Sequence, residues 1–180
     1  MSQNVLFISG SPRAAANTKA VVNVVYRLLR DKQGNAQLLD LHRHVLPLFN
    51  GEPTQNELDS VIQLRKLVQE ADAFFIVTPE YHNGISGALK NALDFLNGDH
   101  FRNKPVAIAA AAGGGKGGIN ALNNLRIVLR GVQANVLPSQ YVADPNQIDS
   151  HGIFIDEAGV NALQSLVQDL ISAIKVKEGV

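Results

Sequence analysis

The sequence predicts an α/β fold: a three-layer, doubly wound sheet of five parallel strands with helices on both faces. Three observations lead there. Short apolar runs of strand length alternate with segments of helical period along the 180 residues. The first run, residues 5–9, is apolar throughout and bounded by turn residues, which is how a strand buried on both faces reads. The stretch 74–96, FFIVTPEYHNGISGALKNALDFL, holds the repeating unit in full: a strand, a polar and aromatic loop, then a helix. Five strands alternating with five helices call for right-handed crossovers that cover both faces of one sheet.

Taken in order, Gly10-Ser11-Pro12-Arg13 breaks the first strand. From Thr18 a helix places Val21, Val25 and Leu28 on one face, carries basic residues near its end where the dipole favours them, and stops near Gly34. Residues 36–41 read as a weaker strand, followed by a loop through 46–56. A helix over 58–70 carries Val61, Leu64 and Val68. The third strand, 74–77, is expected to end at Thr78-Pro79, where a backbone donor is lost. After the loop 80–84, Ser86 is placed as the N-cap of a helix running to Leu96 with Leu89, Leu93 and Leu96 on one face. Asn103-Lys104-Pro105 turns into the fourth strand, 106–111, and glycines at 113–115, 117 and 118 follow. A helix over 120–130, a fifth strand over 135–142, a loop over 144–156 and a last amphipathic helix with Val160, Leu163, Val167, Leu170 and Ile174 complete the chain. No linker, repeat or low-complexity tail divides it, so one domain spanning 1–180 is expected.

Composition narrows the function. Sixteen basic residues balance sixteen acidic ones, which leaves no electrostatic footprint for nucleic acid or an anionic membrane. There is no cysteine, hence no disulfide, thiolate metal site or cysteine nucleophile. The N-terminus lacks a basic region and a cleavage pattern, and no apolar stretch reaches the length of a membrane span, so the expected location is the cytoplasm.

Three loops stand at strand carboxyl ends, where open parallel sheets bind ligands. The first, SGSPRAAANT, gathers the hydroxyls of Ser9, Ser11 and Thr18, the Asn17 amide, the Arg13 guanidinium and a helix N-terminus, the chemistry of a phosphate cradle; an ordinary capped turn would use several of the same residues. The second holds Glu80, Tyr81, His82, Asn83 and Gly84. In the third, Gly113, Gly115 and Gly118 match the spacing of a dinucleotide loop, but on the fourth strand and without a convincing ribose-binding acid, Asp144 being followed by Pro145. Lys116 is followed by Gly117 rather than Ser or Thr, which excludes a nucleoside triphosphate loop. What survives is glycine that lets backbone approach a flat ligand, or a flexible connection. His42 and His44, beside Arg43, lack a carboxylate at helical spacing and read as surface residues rather than metal ligands. There is no serine-hydrolase elbow and no acidic set for a phosphorylated receiver. Three ligand-shaped loops without a protein nucleophile point to a cofactor that carries the chemistry.

Ser9 to Arg13 with Asn17-Thr18, then Pro79-Glu80-Tyr81, then Gly87 with the run 89–94 (LKNALD), resemble the NADPH-dependent FMN reductases of flavodoxin-like fold, and within them the bacterial FMN-dependent NADPH azoreductases; the runs 47–52 and 113–124 fit the same branch. The resemblance implies strand order 2-1-3-4-5, FMN as cofactor, and NADPH, with NADH as an alternative, as donor. It places Ser11, Arg13, Asn17 and Thr18 at the FMN phosphate. Pro79, Glu80, Tyr81, Asn83 and Gly84, with His82 in the same loop, would lie against the ring and ribityl chain, and Gly113, Gly114, Gly115, Lys116 and Gly117 at the other edge. The commoner pattern has Asn at His82, Ser at Gly84 and Pro at Ser86. Lys90, Asn91 and Asp94 fall to helix structure or an interface, and Ala88 and Ala92 suit helix packing in a homodimer or homotetramer.

The implied reaction passes hydride from NADPH to flavin N5 and then reduces a small-molecule acceptor by a ping-pong cycle. Azo compounds and quinones are the favoured acceptors, with free flavin or chromate as alternatives. Two other classes stay open: a flavodoxin-like electron carrier, against which the neutral charge argues, and a ligand-binding protein without redox chemistry.

Overall fold

The computed structural model describes residues 3–30, 35–114 and 117–178. Strands β1 (Asn4–Ser9), β2 (Asn35–Asp40), β3 (Ala73–Pro79), β4 (Pro105–Ala111) and β5 (Asn135–Ala143) form one sheet in the order β2-β1-β3-β4-β5, every neighbouring pair parallel. This is the doubly wound parallel sheet that the alternation predicts, in the flavodoxin-like strand order that the resemblance implies. The helices are α1 (Asn17–Arg30), α2 (Asp59–Glu70), α3 (Gly87–Asp94), α4 (Gly98–Phe101), α5 (Ile119–Gly131) and α6 (Glu157–Glu178).

Alternation along the strands divides the apolar side chains into two cores. Leu6, Ile8, Phe74, Ile76 and Ile108 face α2, α3 and α5 through Leu64, Leu89, Leu122 and Leu125. Val5, Phe7, Phe75 and Val77 face α1 and α6 through Val21, Val25, Leu163 and Val167. Consecutive Phe74 and Phe75 thus serve opposite cores, each fully buried and each contributing about 1.5–3 kcal/mol by burial. Phe75 stacks on Phe7 at 5.9 Å between centroids, and Phe74 leans on Phe101 at 4.8 Å. β3 and β4 are buried at every position, as central parallel strands require. β2 lies at the sheet edge and leaves Asn35 and Leu38 exposed, which explains its weaker apolar signal.

The elements differ from expectation in three places. β3 ends at Pro79 but includes both residues expected to follow it: Thr78 pairs with Ala110 and Pro79 with Ala111, so proline serves as the final strand residue. The helix expected to reach Leu96 ends at Asp94, and Asn97 starts the separate single turn α4 through a capping box with His100. The loop 144–156 is ordered by a 3-10 turn at Pro145–Gln147 and an antiparallel bridge between Ile148 and Phe154.

Candidate functional site

The chain passes from β1 to β2 on one side of the sheet while β3 lies on the other, so the strand order reverses at β1. A crevice opens at such a point because the loops that follow adjacent strands leave in opposite directions. Here the loops after β1, β3 and β4 enclose a cleft of about 280 Å³. Its polar wall is Ser11, Arg13, Asn17, Thr18, Glu80 and Tyr81; Pro79, Ala111, Ala112 and Gly113 supply a floor of small and rigid residues. A larger concavity of about 540 Å³ lies along the outer edge of β2 and holds the Lys19–Asp40 ion pair at 3.1 Å. Only the smaller one brings together loops from three strand ends.

The first loop is tied down at several points. The Gly10 amide donates to Val77 O at 2.8 Å, and a Cβ on Gly10 would stand 2.9 Å from that same oxygen, so this glycine serves the close approach of two strands. Ser86 Oγ donates to Gly10 O and accepts from Leu89 N at 3.0 Å, so one hydroxyl caps α3 and anchors the loop. His42 Nδ1 lies 2.9 Å from Pro12 O, and His44 Nε2 lies 2.7 Å from Ser60 O. Both imidazoles are half-buried, and each has a ring nitrogen within hydrogen-bond distance of a main-chain carbonyl. Among the described residues no group of three or more His, Cys, Asp or Glu could hold a metal ion.

The proposed ligand residues separate into those on the cleft and those behind it. Ser11 Oγ sits 3.3 Å from Tyr81 Oη and accepts from Arg13 N at 3.3 Å, joining the first two loops. Ser9 is not on the cleft wall: its buried hydroxyl pairs with Thr18 Oγ1 at 3.2 Å and supports the first turn of α1. His82 and Asn83 are exposed and do not line the cleft. They form the tip of a tight turn closed by two hydrogen bonds of 3.0 Å between Tyr81 and Gly84. With φ of 51° at His82 and 64° at Asn83, the turn has the signs of type I′. Asn tolerates that conformation better than His, so His82→Asn is expected to stabilise the protein by about 0.5 kcal/mol, a Tm gain of about 1–2 °C in a thermal melt.

The glycine loop divides by role. Among the described residues a Cβ on Gly113 or Gly114 would meet nothing within 4 Å, so packing against them does not require glycine here and the backbone at these two is open. Gly117 N donates to Gly114 O at 3.1 Å, closing a turn. Gly115 and Lys116 lie outside the described residues. One wall residue that the sequence reading missed is Pro145, just after β5. Its position past a strand end was the available signal. The loop behind it is held by Tyr141, whose hydroxyl donates to Gln147 Oε1 at 3.0 Å, and by Gln147 Nε2 donating to Asp156 Oδ2 at 2.8 Å. Burial, partly offset by the Gln147 hydrogen bond, pushes the Tyr141 phenol above its ordinary value.

The donor set fits a phosphorylated flavin. An anion at the α1 end would meet the N-terminal N–H groups, the Ser11 hydroxyl and Arg13, and the first turn of α1 contains no acid. Glu80 is the one acidic residue among those lining the cleft, and its Oε2 accepts from Ala121 N at 2.9 Å. At the other end, the open backbone at Gly113 and Gly114 permits close approach of a flat ring.

Comparison with known proteins points the same way. Residues 3–149 match the family model described as NADPH-dependent FMN reductase. An NADPH azoreductase of Bacillus sp. (strain OY1-2) is 43% identical over 171 residues, covering 95% of this chain and 90% of that protein. An FMN-dependent NADPH-azoreductase of Staphylococcus aureus (strain USA300) is 32% identical over 142 residues, covering 75% and 73%. Among solved structures, the flavoenzyme NAD(P)H:(acceptor) oxidoreductase of Paracoccus denitrificans superposes with a TM-score of 0.81 at 24% identity over 96% of this chain and 97% of that one. That likeness speaks to the fold. The family match over most of the length, carried by a chain whose three strand-end loops meet in one cleft, places this protein in the NADPH-dependent FMN reductase family.

Proposed function

We propose that this protein is an FMN-dependent NADPH oxidoreductase that reduces azo compounds, quinones or similar small acceptors. The observation that carries the reading is the cleft itself: a polar end at Ser11, Arg13 and the α1 N-terminus, suited to an anion, stands opposite an open glycine backbone. FMN is the cofactor and NADPH the donor that family membership brings. Held there by these residues, FMN would supply hydride-transfer chemistry at N5 between NADPH and the acceptor.

The chain's own residues bind and orient. Ser11, Arg13, Asn17 and Thr18 hold the phosphate, Tyr81 and Pro79 line the middle of the cleft, and the glycine loop bounds the far edge. Free flavin and chromate are the alternative acceptors. We place this activity in a single domain of residues 1–180, located in the cytoplasm; no helix among the described residues is long and apolar enough to cross a membrane. A homodimer or homotetramer is supported by exposed Val45 and Leu48 on the loop that Asn91 of α3 pins, through Asn91 Nδ2 to Pro47 O and Phe49 N to Asn91 Oδ1, each 2.8 Å.

The test is an absorbance spectrum of the protein with FMN, recorded anaerobically before and after NADPH. Bleaching of the flavin band and its return on adding an azo dye or quinone is the expected result. Bound flavin that NADPH leaves oxidised would favour an electron carrier, and failure to bind FMN would remove the assignment.

A further inference from the structure

The N-terminus of α5 lacks a cap of its own. Its N-cap is Gly118, at φ +99°, and no side chain at that position can accept from the first-turn amides. The acceptor comes instead from Glu80, whose Oε2 takes the hydrogen bond of Ala121 N at 2.9 Å, forty-one residues away in sequence. Ala121 is the third residue of the helix, the amide that an N-cap side chain ordinarily serves. A carboxylate there is also favoured by the helix dipole. The same turn makes a second attachment, Asn120 Nδ2 donating to Asn83 Oδ1 at 3.1 Å.

Glu80 also meets the glycine loop. A Cβ on Gly117 would stand 3.5 Å from Glu80 Oε1, so the carboxylate lies directly over that backbone. One side chain therefore connects the loop after β3 to the helix that ends the loop after β4. These are two of the three loops that enclose the proposed cleft.

We propose that Glu80 is a positioning residue that sets the spacing between the Tyr81 turn and the glycine loop, and so the width of the slot for the flavin ring, by capping α5 in place of Gly118. It acts through its acceptor oxygen on Ala121 N rather than through contact with the cofactor. The inference rests on the flavin cleft proposed above.

Two variants test it, Glu80→Ala and Glu80→Gln, since glutamine keeps an acceptor oxygen and loses the charge. In the protein without flavin, amide exchange at Ala121 and Gly117 should quicken at least tenfold in Glu80→Ala and stay within about threefold of the parent in Glu80→Gln. FMN affinity, read by quenching of flavin fluorescence, should fall about tenfold in Glu80→Ala and recover in Glu80→Gln. Unchanged exchange in Glu80→Ala overturns the proposal. Equal loss of FMN affinity in both variants also overturns it, because the charge and not the cap would then matter. Failure of the parent protein to bind FMN would sink the cofactor reading alone, since the exchange measurement still decides what Glu80 does.

Discussion

Gly118→Ala is expected to destabilise the protein by about 2–5 kcal/mol, combining overpacking with a left-handed backbone that L side chains resist. The residue has φ +99°, and an added Cβ would stand 2.7 Å from Val142 Cγ1, 3.2 Å from Val142 Cγ2 and 3.3 Å from the Ala110 Cβ. Ala110 and Val142 are paired across β4 and β5, so neither can retreat without opening the sheet. The displacement must be taken up by the glycine loop and the start of α5, and FMN affinity should fall together with stability. Urea unfolding followed by circular dichroism reads the first effect, and a flavin titration the second. Gly113→Ala is the control: its Cβ meets nothing within 4 Å, and unfolding without flavin should change by less than about 0.5 kcal/mol. Equal destabilisation by both variants would contradict the division of roles within this loop.

Ser86→Ala is expected to cost roughly 2–4 kcal/mol, because one substitution removes two hydrogen bonds at a fully buried position. The Leu89 amide loses its cap, worth about 0.5–2 kcal/mol, and Gly10 O is left buried without its donor, about 1–3 kcal/mol more. The loss should appear in denaturant midpoints, and it should carry into flavin binding because Gly10 precedes Ser11. A change below about 0.5 kcal/mol would mean that the loop finds another donor. The backbone at Ser86 has φ −61° and ψ 146°, which is the conformation proline prefers. The proline that the resemblance leads one to expect here would bring the same chain direction, whereas serine adds a cap and a tie to the first loop.

The departures at His82 and Gly84 have a similar explanation. Both belong to a turn whose geometry comes from positive φ at His82 and Asn83 and is closed between Tyr81 and Gly84, and neither residue lines the cleft. Asn83 is used for attachment to Asn120, and Asn91 for attachment to the loop 47–49. Lys90 pairs with Asp94 at 2.6 Å along the helix, a local role that its spacing of four already indicated.

The five strands, the long helices, the strand order implied by the resemblance and the three decorated loops were legible in the sequence. The strands, helices and loops depend on what neighbours in the chain impose, namely apolar periodicity, turn residues and the rule that parallel strands need crossovers, whereas the strand order came from the family resemblance alone. The weaker apolar signal of residues 36–41 and the Ser86 cap were readable for the same reason, while the edge position of β2 was not. Only the tertiary structure decided which of several like residues does what. Ser9 and Ser11 are two positions apart, yet one hydroxyl is buried against Thr18 and the other joins Tyr81 on the cleft wall. Gly113 and Gly118 are the same residue in the same loop, yet one faces open space and the other has Val142 against it. Glu80 stands on the cleft wall, yet its carboxylate also accepts from the helix of the next unit, a partner forty-one residues on that nothing local indicates. Such partners lie across the fold, and the packing of whole elements selects them. Periodicity and turn chemistry act over a few residues, and so the sequence identified the loops while the assembled sheet and helices chose the atoms that face the cleft.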